Sequence, residues 1–374
     1  MTRKRVLFVI TEDWALISHR LHLAEAAIKR GYEVGVLTRV TNYRDMLESR
    51  GLRVFHWRLE RRSLNPINEI LSVIQLWKIL SSFRPAIIHA VAQKPAIYAG
   101  LARKLSKQVR FVAALGGVGF IFNAKSLKAR MLRPLVKFFL RFSLHGRSTT
   151  LVLQNMDNIQ TITNLNIMSE TRIRLVRGAG VEIEKFRPSP LPAGVPVIIL
   201  PARMLWDKGV GEFVRVAKRI KERGINARFV LVGDIDSHNP ASVTQWQIEQ
   251  WVAQGAVEQA GRCDDMDLIY RRASIVCLPS YNEGLPKVLL EAASCARPSV
   301  AFDVPGCREI VRDGLNGFLV GFGDETALET AIVTLINDRS LCAEMGAKGR
   351  KIVEQEFSDD IINAQTFAIW DEAQ

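Results

Sequence analysis

Apolar and polar positions follow two alternating periods along most of this chain. Short apolar runs such as RVLFVI (Arg5 to Ile10) are typical of buried strands, and apolar residues three or four apart, as in Ser18 to Arg30, predict an amphipathic helix. Strands that alternate with helices indicate βαβ units and a parallel sheet covered on both faces. In the first half the pattern further predicts strands at EVGVLT, LRVFHW, 86–91, 110–114, TTLVLQ and IRLV, and helices at 43–50, 65–82 and 155–165.

This alternation pauses and then begins again, which indicates a second domain. Residues 178–196 contain three glycines and four prolines, a composition typical of a linker. Beyond them the pattern predicts strands VIILP, RFVLVG, SIVCLP, PSVAF and GFLV, and helices at 210–223, 242–253 and 286–295. The sequence therefore predicts an α/β fold with two Rossmann-like αβα domains. Ligands of such sheets bind beyond the carboxyl ends of the strands.

Composition supports a globular, two-domain protein. A length of 374 residues fits two domains, and 48% hydrophobic with 24% charged residues excludes a disordered or collagen-like chain. The five cysteines form no CxxC pair, so neither a disulfide framework nor a structural zinc site is expected, and a reducing compartment is favoured. We find no apolar stretch near the ~20 residues of a membrane span and no signal-peptide pattern. We expect an intracellular protein that does not cross a membrane.

Charge is distributed unevenly between the two halves. Residues 1–156 hold 27 Lys and Arg against 8 Asp and Glu, whereas the remainder holds 24 against 30. Between Glu69 and Asp157 there is no carboxylate, although these 87 residues include 14 Lys and Arg. Such asymmetry indicates that the first domain meets an anionic partner, either a nucleic acid or an anionic membrane surface.

The second domain carries the most specific combination of chemical groups. Two cations follow strand VIILP, two carboxylates follow strand SIVCLP, and backbone amides open the helix after it, where an anion can bind. Taken singly, the cations could be solvated loop charges and the second carboxylate an exposed helix residue. Taken together, they suit a nucleotide diphosphate sugar. The cations are Arg203 and Lys208, the carboxylates Glu283 and Glu291, and the amides those of Gly284, Leu285 and Lys287.

This combination resembles glycosyltransferase family 4, whose members are retaining enzymes of the GT-B fold. The family motif has two glutamates eight positions apart and an upstream Arg and Lys five apart, which Glu283, Glu291, Arg203 and Lys208 match. Gly233 in FVLVGD extends the match, and the resemblance covers essentially the whole chain. It implies residues 1–180 as the acceptor domain, 181–354 as the nucleotide-sugar domain, and a C-terminal helix at 355–374 that returns to the first domain.

The resemblance also implies a role for each matched residue. Arg203 and Lys208 would neutralise the diphosphate leaving group, and Glu283 would contact the donor sugar. Glu291 would bind the nucleotide ribose. Such enzymes need no metal cofactor, because protein cations stabilise the leaving group, and we favour a UDP-linked donor.

The first domain offers weaker candidates for the acceptor or the cleft. The run SHRLHLA, with His19 and Arg20, resembles a branch that acts on saccharides carried by polyprenyl diphosphate. Gly116 and Gly117 occupy a loop in which many relatives carry a histidine, and this departure puts a catalytic histidine in doubt. His89 is the remaining candidate histidine, with a packed core residue as the alternative. The glycines could admit a phosphate or simply form a tight turn.

A basic and apolar segment follows that loop. Its apolar residues include three phenylalanines, and basic amphipathic segments of this kind bind anionic membranes. The alternative is a core helix with a solvated outer face, which leaves the missing carboxylates unexplained. The basic positions are Lys125, Lys128, Arg130, Arg133, Lys137 and Arg141.

These observations together predict a glycosyltransferase at the cytoplasmic face of the cell membrane. We expect it to move a sugar from a nucleotide sugar to a lipid-linked saccharide in polysaccharide or glycan assembly. A transferase with a soluble acceptor and a sugar-nucleotide epimerase are alternatives within the same fold. A basic nucleic-acid-binding protein is the alternative of another class. No nucleic-acid-binding module is recognised, and no GxGxxG follows the first strand to indicate a dehydrogenase.

Overall fold

The structure is a computed structural model that describes residues 3–59, 65–105, 109–117, 127–236 and 239–372. It divides into two compact units, Met1–Ala179 with Ile362–Gln374, and Gly180–Ile361. Strands in the first unit are β1 Arg5–Glu12, β2 Glu33–Arg39, β3 Arg53–His56, β4 Ile87–Val91, β5 Arg110–Leu115, β6 Thr149–Leu153 and β7 Ile173–Leu175. Its helices are α1 Asp13–His19, α2 Leu21–Lys29, α3 Arg44–Ser49, α4 Pro66–Phe83, α5 Gln93–Arg103, α6 Leu127–Leu144 and α7 Met156–Asn164.

The second unit repeats the alternation of strands and helices. Its strands are β8 Val197–Pro201, β9 Arg228–Val232, β10 Glu258–Gly261, β11 Ile275–Leu278, β12 Ser299–Phe302 and β13 Gly317–Val320. Its helices are α8 Val210–Glu222, α9 Gln245–Ala253, α10 Met266–Arg272, α11 Lys287–Ser294, α12 Pro305–Arg308, α13 Glu325–Asn337 and α14 Arg339–Glu356. The last helix, α15 Asp359–Asp371, begins in the second unit and runs into the first.

Each unit contains one sheet whose described strands pair in parallel. The orders are β3-β2-β1-β4-β5-β6-β7 and β10-β9-β8-β11-β12-β13, the doubly wound arrangement in which successive strands are added outward from a central pair. In the first sheet Val6 lies opposite Val34 on one side and Ile87 on the other. Crossover helices cover both faces of each sheet, and the α/β class predicted from the sequence is confirmed.

Alternate residues of the central strands enter cores on opposite faces of the first sheet. Leu7 and Val9 pack on one face with helices α4 and α5, and Val6 and Phe8 pack on the other with α2 and α15. This explains the continuous apolar run of β1, since a strand buried on both faces has no polar side.

The first amphipathic segment differs from its prediction. We expected one helix over Ser18 to Arg30, and the structure has two, α1 and α2, with a break at Arg20 (φ −139°, ψ 0°). The Arg20 side chain is buried, and Nη1 donates to the carbonyl oxygens of His19 at 3.0 Å and Gly178 at 3.4 Å. The break therefore accompanies a buried cation bound to backbone that lies far away in the sequence.

Helix α15 is anchored to the first unit by an aromatic side chain and by ion pairs. Trp370 is buried against the rings of Phe8 and Tyr32, and its Nε1–H donates to His89 Nδ1 at 3.2 Å. The Glu372 carboxylate lies 3.0 Å from Arg110 Nη2 and 2.8 Å from Arg174 Nε. Trp370 is therefore part of the core of the first unit, and Glu372, just beyond the helix, is held to the same unit by its ion pairs.

We expect Trp370→Ala to lower the free energy of unfolding by about 3 kcal/mol or more, because it leaves a cavity among aromatic rings. Gln365→Ala, on the exposed face of α15, is the matched control and should change it by less than about 0.5 kcal/mol. Urea denaturation of both variants measures the difference. Equal stabilities would show that α15 contributes little to the core.

Candidate active site

The second sheet reverses its strand order between β8 and β11, which are paired neighbours. In open α/β sheets, ligands bind at such a switch point, outside the carboxyl ends of the strands. Lys208 follows β8 and Glu283 follows β11. The Lys208 Nζ lies 2.5 Å from Glu283 Oε1, and both side chains are largely buried. The structure thus brings these two predicted residues together at the switch point.

The two loops that carry this ion pair are joined through their backbones. The Asp207 carbonyl accepts the backbone N–H of Tyr281 at 2.9 Å and the Ser280 hydroxyl at 3.2 Å. Gly209 has a φ of +74°, and a Cβ there would lie 2.0 Å from the Pro279 carbonyl oxygen. Only glycine fits such a position. The relative position of Lys208 and Glu283 is therefore fixed by backbone contacts as well as by charge.

Tyr281 also holds its loop through its side chain, a contact that the sequence analysis missed. Its hydroxyl donates to Glu212 Oε1 at 2.7 Å, which ties the loop after β11 to α8. Its ring packs edge-on against Phe322. The one available signal was its place in the run SYNEG, two residues before Glu283.

Arg203 and Gly233 lie together at the next loop pair of the same sheet edge. Gly233 has a φ of +141°, and a Cβ there would lie 2.1 Å from the Ala202 carbonyl oxygen. This close approach places the loops after β8 and β9 side by side. Arg203 is half exposed, and its Nη1 lies 2.9 Å from Asp236 Oδ2, a partner that the sequence did not indicate. Arg203 therefore presents a cation at the sheet edge.

The predicted amide positions lie at the start of α11. Gly284 and Leu285 precede the helix, Pro286 is its N-cap residue and Lys287 is its first residue. A Cβ at Gly306 would lie 2.6 Å from the Glu283 carbonyl oxygen, so the segment after β12 packs closely on this loop. The positive end of the helix dipole thus lies at the carboxyl edge of the sheet.

Glu291 is buried on α11 instead of exposed on the helix surface. The Tyr270 hydroxyl donates to its Oε2 at 3.0 Å, and Lys287 Nζ lies 3.6 Å from its Oε1. Burial raises the pKa of Glu291, and the nearby Lys287 and Tyr270 oppose that rise. Burial and the Glu291 charge also raise the pKa of Tyr270. The sequence did not indicate Tyr270 as a partner of Glu291.

The candidates of the first unit are found in different environments. His19 is exposed at the end of α1, whereas Arg20 is buried, and burial lowers the pKa of Arg20 to about 10. Gly116 and Gly117 follow β5 at the carboxyl edge of the sheet. Among the described residues, a Cβ at Gly116 would come no closer than 3.6 Å to Gln154, and a Cβ at Gly117 would meet no atom within 4 Å. These described neighbours leave room for a side chain at both positions.

His89 lies in the core of the first unit, in the environment that the packed-histidine alternative describes. Its ring lies 5.2 Å from that of Phe8, and Nδ1 accepts the Trp370 Nε1–H. Burial, assisted by the nearby Arg20 charge, lowers the pKa of His89 to about 3. The imidazole is therefore neutral at physiological pH, with the proton on Nε2.

The predicted membrane segment forms most of α6. Arg130 and Arg141 are exposed on this helix and Arg133 and Lys137 are half-buried, while Lys128 lies in its first turn and Lys125 lies outside the described residues. No helix in the described part of the chain is long and apolar enough to cross a membrane. Across the same residues, no group of three or more His, Cys, Asp or Glu is placed to hold a metal ion.

Comparison with family models gives one match in each half of the chain. Residues 5–155 match the family described as "Glycosyl transferase 4-like", and residues 195–338 match "Glycosyl transferases group 1". The first range lies within the first unit and the second within the second unit.

Two curated relatives and one solved structure illustrate the similarity. An N,N'-diacetylbacillosaminyl-diphospho-undecaprenol α-1,3-N-acetylgalactosaminyltransferase of Campylobacter jejuni is 26% identical over 98% of this chain and 98% of its own. A UDP-Gal:α-D-GlcNAc-diphosphoundecaprenol α-1,3-galactosyltransferase of Escherichia coli is 25% identical over 75% of this chain and 74% of its own. Anabaena HepE in complex with UDP has a TM-score of 0.80 at 18% identity, and the match covers 99% of this chain and 100% of HepE. This likeness in fold confirms the GT-B class.

The raised pKa of Glu291 predicts a pH-dependent difference between E291Q and the wild type. Ionising this buried carboxyl costs stability, so the wild type loses stability as the pH rises from the ordinary glutamate value of 4.5 through the higher folded value. E291Q lacks this loss, and its stability relative to the wild type should increase over that range. Urea denaturation at several pH values measures it, with the exposed E344Q as control. A difference that does not vary with pH would contradict the burial argument.

Proposed function

The chain belongs to the family of group 1 and 4-like glycosyltransferases, and we propose that it transfers a sugar from a UDP-linked donor to a saccharide carried on polyprenyl diphosphate. The Lys208–Glu283 pair at the switch point of the second sheet is the observation that carries this proposal. The names of the two curated relatives, both of which act on diphospho-undecaprenol-linked acceptors, support the choice of acceptor. A UDP-sugar in one of these names and UDP bound to HepE support the choice of donor.

The donor would bind at the carboxyl edge of the second sheet. Arg203 and Lys208 supply positive charge for the diphosphate, and the amides of Gly284, Leu285 and Lys287 add the positive end of the α11 dipole. Positive groups held in place before the reaction stabilise a leaving group whose negative charge grows in the transition state. We therefore propose that transfer requires no metal ion.

Two glutamates and a glycine complete the proposed donor site. Glu283 would accept hydrogen bonds from the donor sugar once the diphosphate shares Lys208 with it. Glu291, held by Tyr270 and Lys287, would accept a hydrogen bond from a ribose hydroxyl. Gly233 keeps the loops after β8 and β9 close together, so that Arg203 is held at the edge of the site.

We propose that the anomeric configuration is retained by attack from the face that the diphosphate leaves. The acceptor oxygen forms its bond to the anomeric carbon as the bond to the phosphate oxygen breaks. The departing phosphate oxygen takes the proton of the acceptor hydroxyl, so no protein base is needed. His19, Arg20, Gly116 and Gly117, at or near the carboxyl edge of the first sheet, are the candidate acceptor contacts. His89 lies in the core, where its neutral ring accepts the Trp370 Nε1–H.

Lys208→Ala should lower kcat by roughly 100-fold or more, the effect of removing a preorganised charge from a leaving group. The assay incubates the protein with UDP-sugars and polyprenyl-diphosphate-linked saccharides and detects the extended product by mass spectrometry. Lys348→Ala, which removes a lysine paired with Glu344 elsewhere in the second unit, is the control and should keep wild-type turnover. Wild-type turnover by the Lys208 variant would refute the assignment. Transfer by the wild type only to soluble acceptors would refute the lipid-linked acceptor.

We further propose that α6 contacts an anionic membrane at its cytoplasmic face. Changing Arg130, Lys137 and Arg141 to Gln should weaken binding to anionic vesicles by roughly 3 kcal/mol, or more than a hundredfold, at about 1 kcal/mol per cation near the surface. Co-sedimentation at low and high salt measures it, since salt screens exposed charges. The charge-matched control changes the exposed Arg187, Arg223 and Lys351 of the second unit to Gln. If both variants lost the same amount of vesicle binding, the effect would be one of net charge alone, and contact through α6 would be refuted.

A further inference from the structure

An apolar groove lies between helices α4, α5 and α6 of the first unit. Its volume is about 730 Å³, within the range of small-molecule sites. Ile70 and Ile74 of α4 form one wall, Leu135 and Phe139 of α6 form the other, and α5 forms the floor with residues such as Ile97. All four wall side chains are exposed, although they are apolar. Contiguous exposed apolar surface of this kind marks a binding site.

The groove has one polar end, which lies near the start of α5. There the Glu69 carboxylate pairs with Lys94 Nζ at 2.7 Å and accepts a hydrogen bond from the Tyr98 hydroxyl. Helix α5 begins just after β4, so this end lies near the carboxyl edge of the first sheet. The groove follows α5 from Gln93 to Leu101, about 12 Å at the helical rise, and beyond its polar end the described side chains that line it are apolar.

Charge around the groove identifies the kind of molecule that fits. Among the described residues that line it, Glu69 is the one carboxylate and is paired with Lys94, and the sequence carries no further carboxylate until Asp157. On α6 the exposed cations Arg130 and Arg141 lie on the flank away from the groove wall. A ligand with a negatively charged head and a hydrocarbon chain therefore matches both the apolar walls and the basic surroundings.

We propose that this groove binds the isoprenoid chain of the lipid-linked acceptor, with its phosphate end toward the carboxyl edge of the first sheet. This inference rests on the proposed function and names the substrate subsite that holds the lipid. The groove takes the part of the chain nearest the phosphate, because its length limits what it can hold. A short prenyl phosphate should therefore bind nearly as tightly as a long one.

The test compares two double variants that make the same chemical change at exposed positions. I74Q/L135Q places amides in the two groove walls, whereas L71Q/M131Q places them at exposed positions of the same helices outside the groove. Binding of farnesyl phosphate in non-ionic detergent is measured for the full chain. We expect the first variant to raise the Kd at least tenfold, since two aliphatic contacts are lost, and the control to stay within about twofold.

A photoreactive farnesyl phosphate gives a second measurement that does not depend on variants. Labelled peptides from α4, α5 or α6, identified by mass spectrometry, would support the groove, and labels confined to other elements would overturn it. Dioleoyl phosphatidic acid, added as a competitor, distinguishes binding of an isoprenoid chain from binding of the acyl chains of a bilayer lipid. Equal protection by this acyl lipid would show that the groove takes bilayer chains and would overturn the isoprenoid assignment.

The groove and the proposed function can fail separately. An unchanged Kd in I74Q/L135Q, with the wild type transferring sugar to a lipid-linked acceptor, would overturn the groove and leave the function. Binding that is lost in I74Q/L135Q but kept in L71Q/M131Q, with no transfer by the wild type, would support the groove and overturn the function. A groove that instead joins two copies of this chain would appear as a dimer lost in I74Q/L135Q, and would overturn the lipid assignment.

Discussion

Direct contact between the backbones of neighbouring strand-end loops is the constraint on which the proposed donor site depends. At Gly209, Gly233 and Gly306 a Cβ would lie between 2.0 and 2.6 Å from a neighbouring carbonyl oxygen, closer than a real Cβ can come. Each glycine therefore allows direct backbone contact between neighbouring segments at the sheet edge. Because these segments carry Lys208 and Glu283, backbone packing as well as charge fixes the position of the ion pair.

Charges at this edge are held in pairs, which explains how the protein keeps them in place without substrate. Burying a single charge costs several kcal/mol, and a close partner offsets that cost. Lys208, which is largely buried, is paired in this way with Glu283, and the half-exposed Arg203 is paired with Asp236. In the proposed donor site an entering diphosphate would share these cations, which are already in place before the reaction begins.

Much of the fold could be predicted from periodicity, and the failures have tertiary causes. The strands at the centre of each sheet were recognised because each contains a continuous or nearly continuous apolar run. Helix α5 gave no clear pattern, since residues on several of its sides, including Ala96, Ala99 and Gly100, are buried. The break at Arg20 accompanies a hydrogen bond to a carbonyl 158 residues away, which no local pattern contains.

In the candidate site, too, some residues could be predicted from the sequence, and others depend on tertiary packing. Residues that carry charge at fixed spacings, such as Lys208 and Glu283, could be found from the sequence, because the spacing places them after neighbouring strands. Their supporting partners could not. Tyr270 lies on a different helix from Glu291, 21 residues away, and only the packing of α10 against α11 reveals the hydrogen bond between them.

Helix α4 illustrates a further limit, because it is apolar on two faces. Leu76, Leu80 and Phe83 pack into the core, whereas Ile67, Ile70 and Ile74 recur at helical spacing on the exposed side. Hydrophobicity along the sequence predicts burial for both sets, but folding covers only one of them. The burial of the first set stabilises the unit, whereas the second set stays in contact with water. In the proposed groove a lipid chain would cover Ile70 and Ile74, so that folding and binding would use different faces of the same helix.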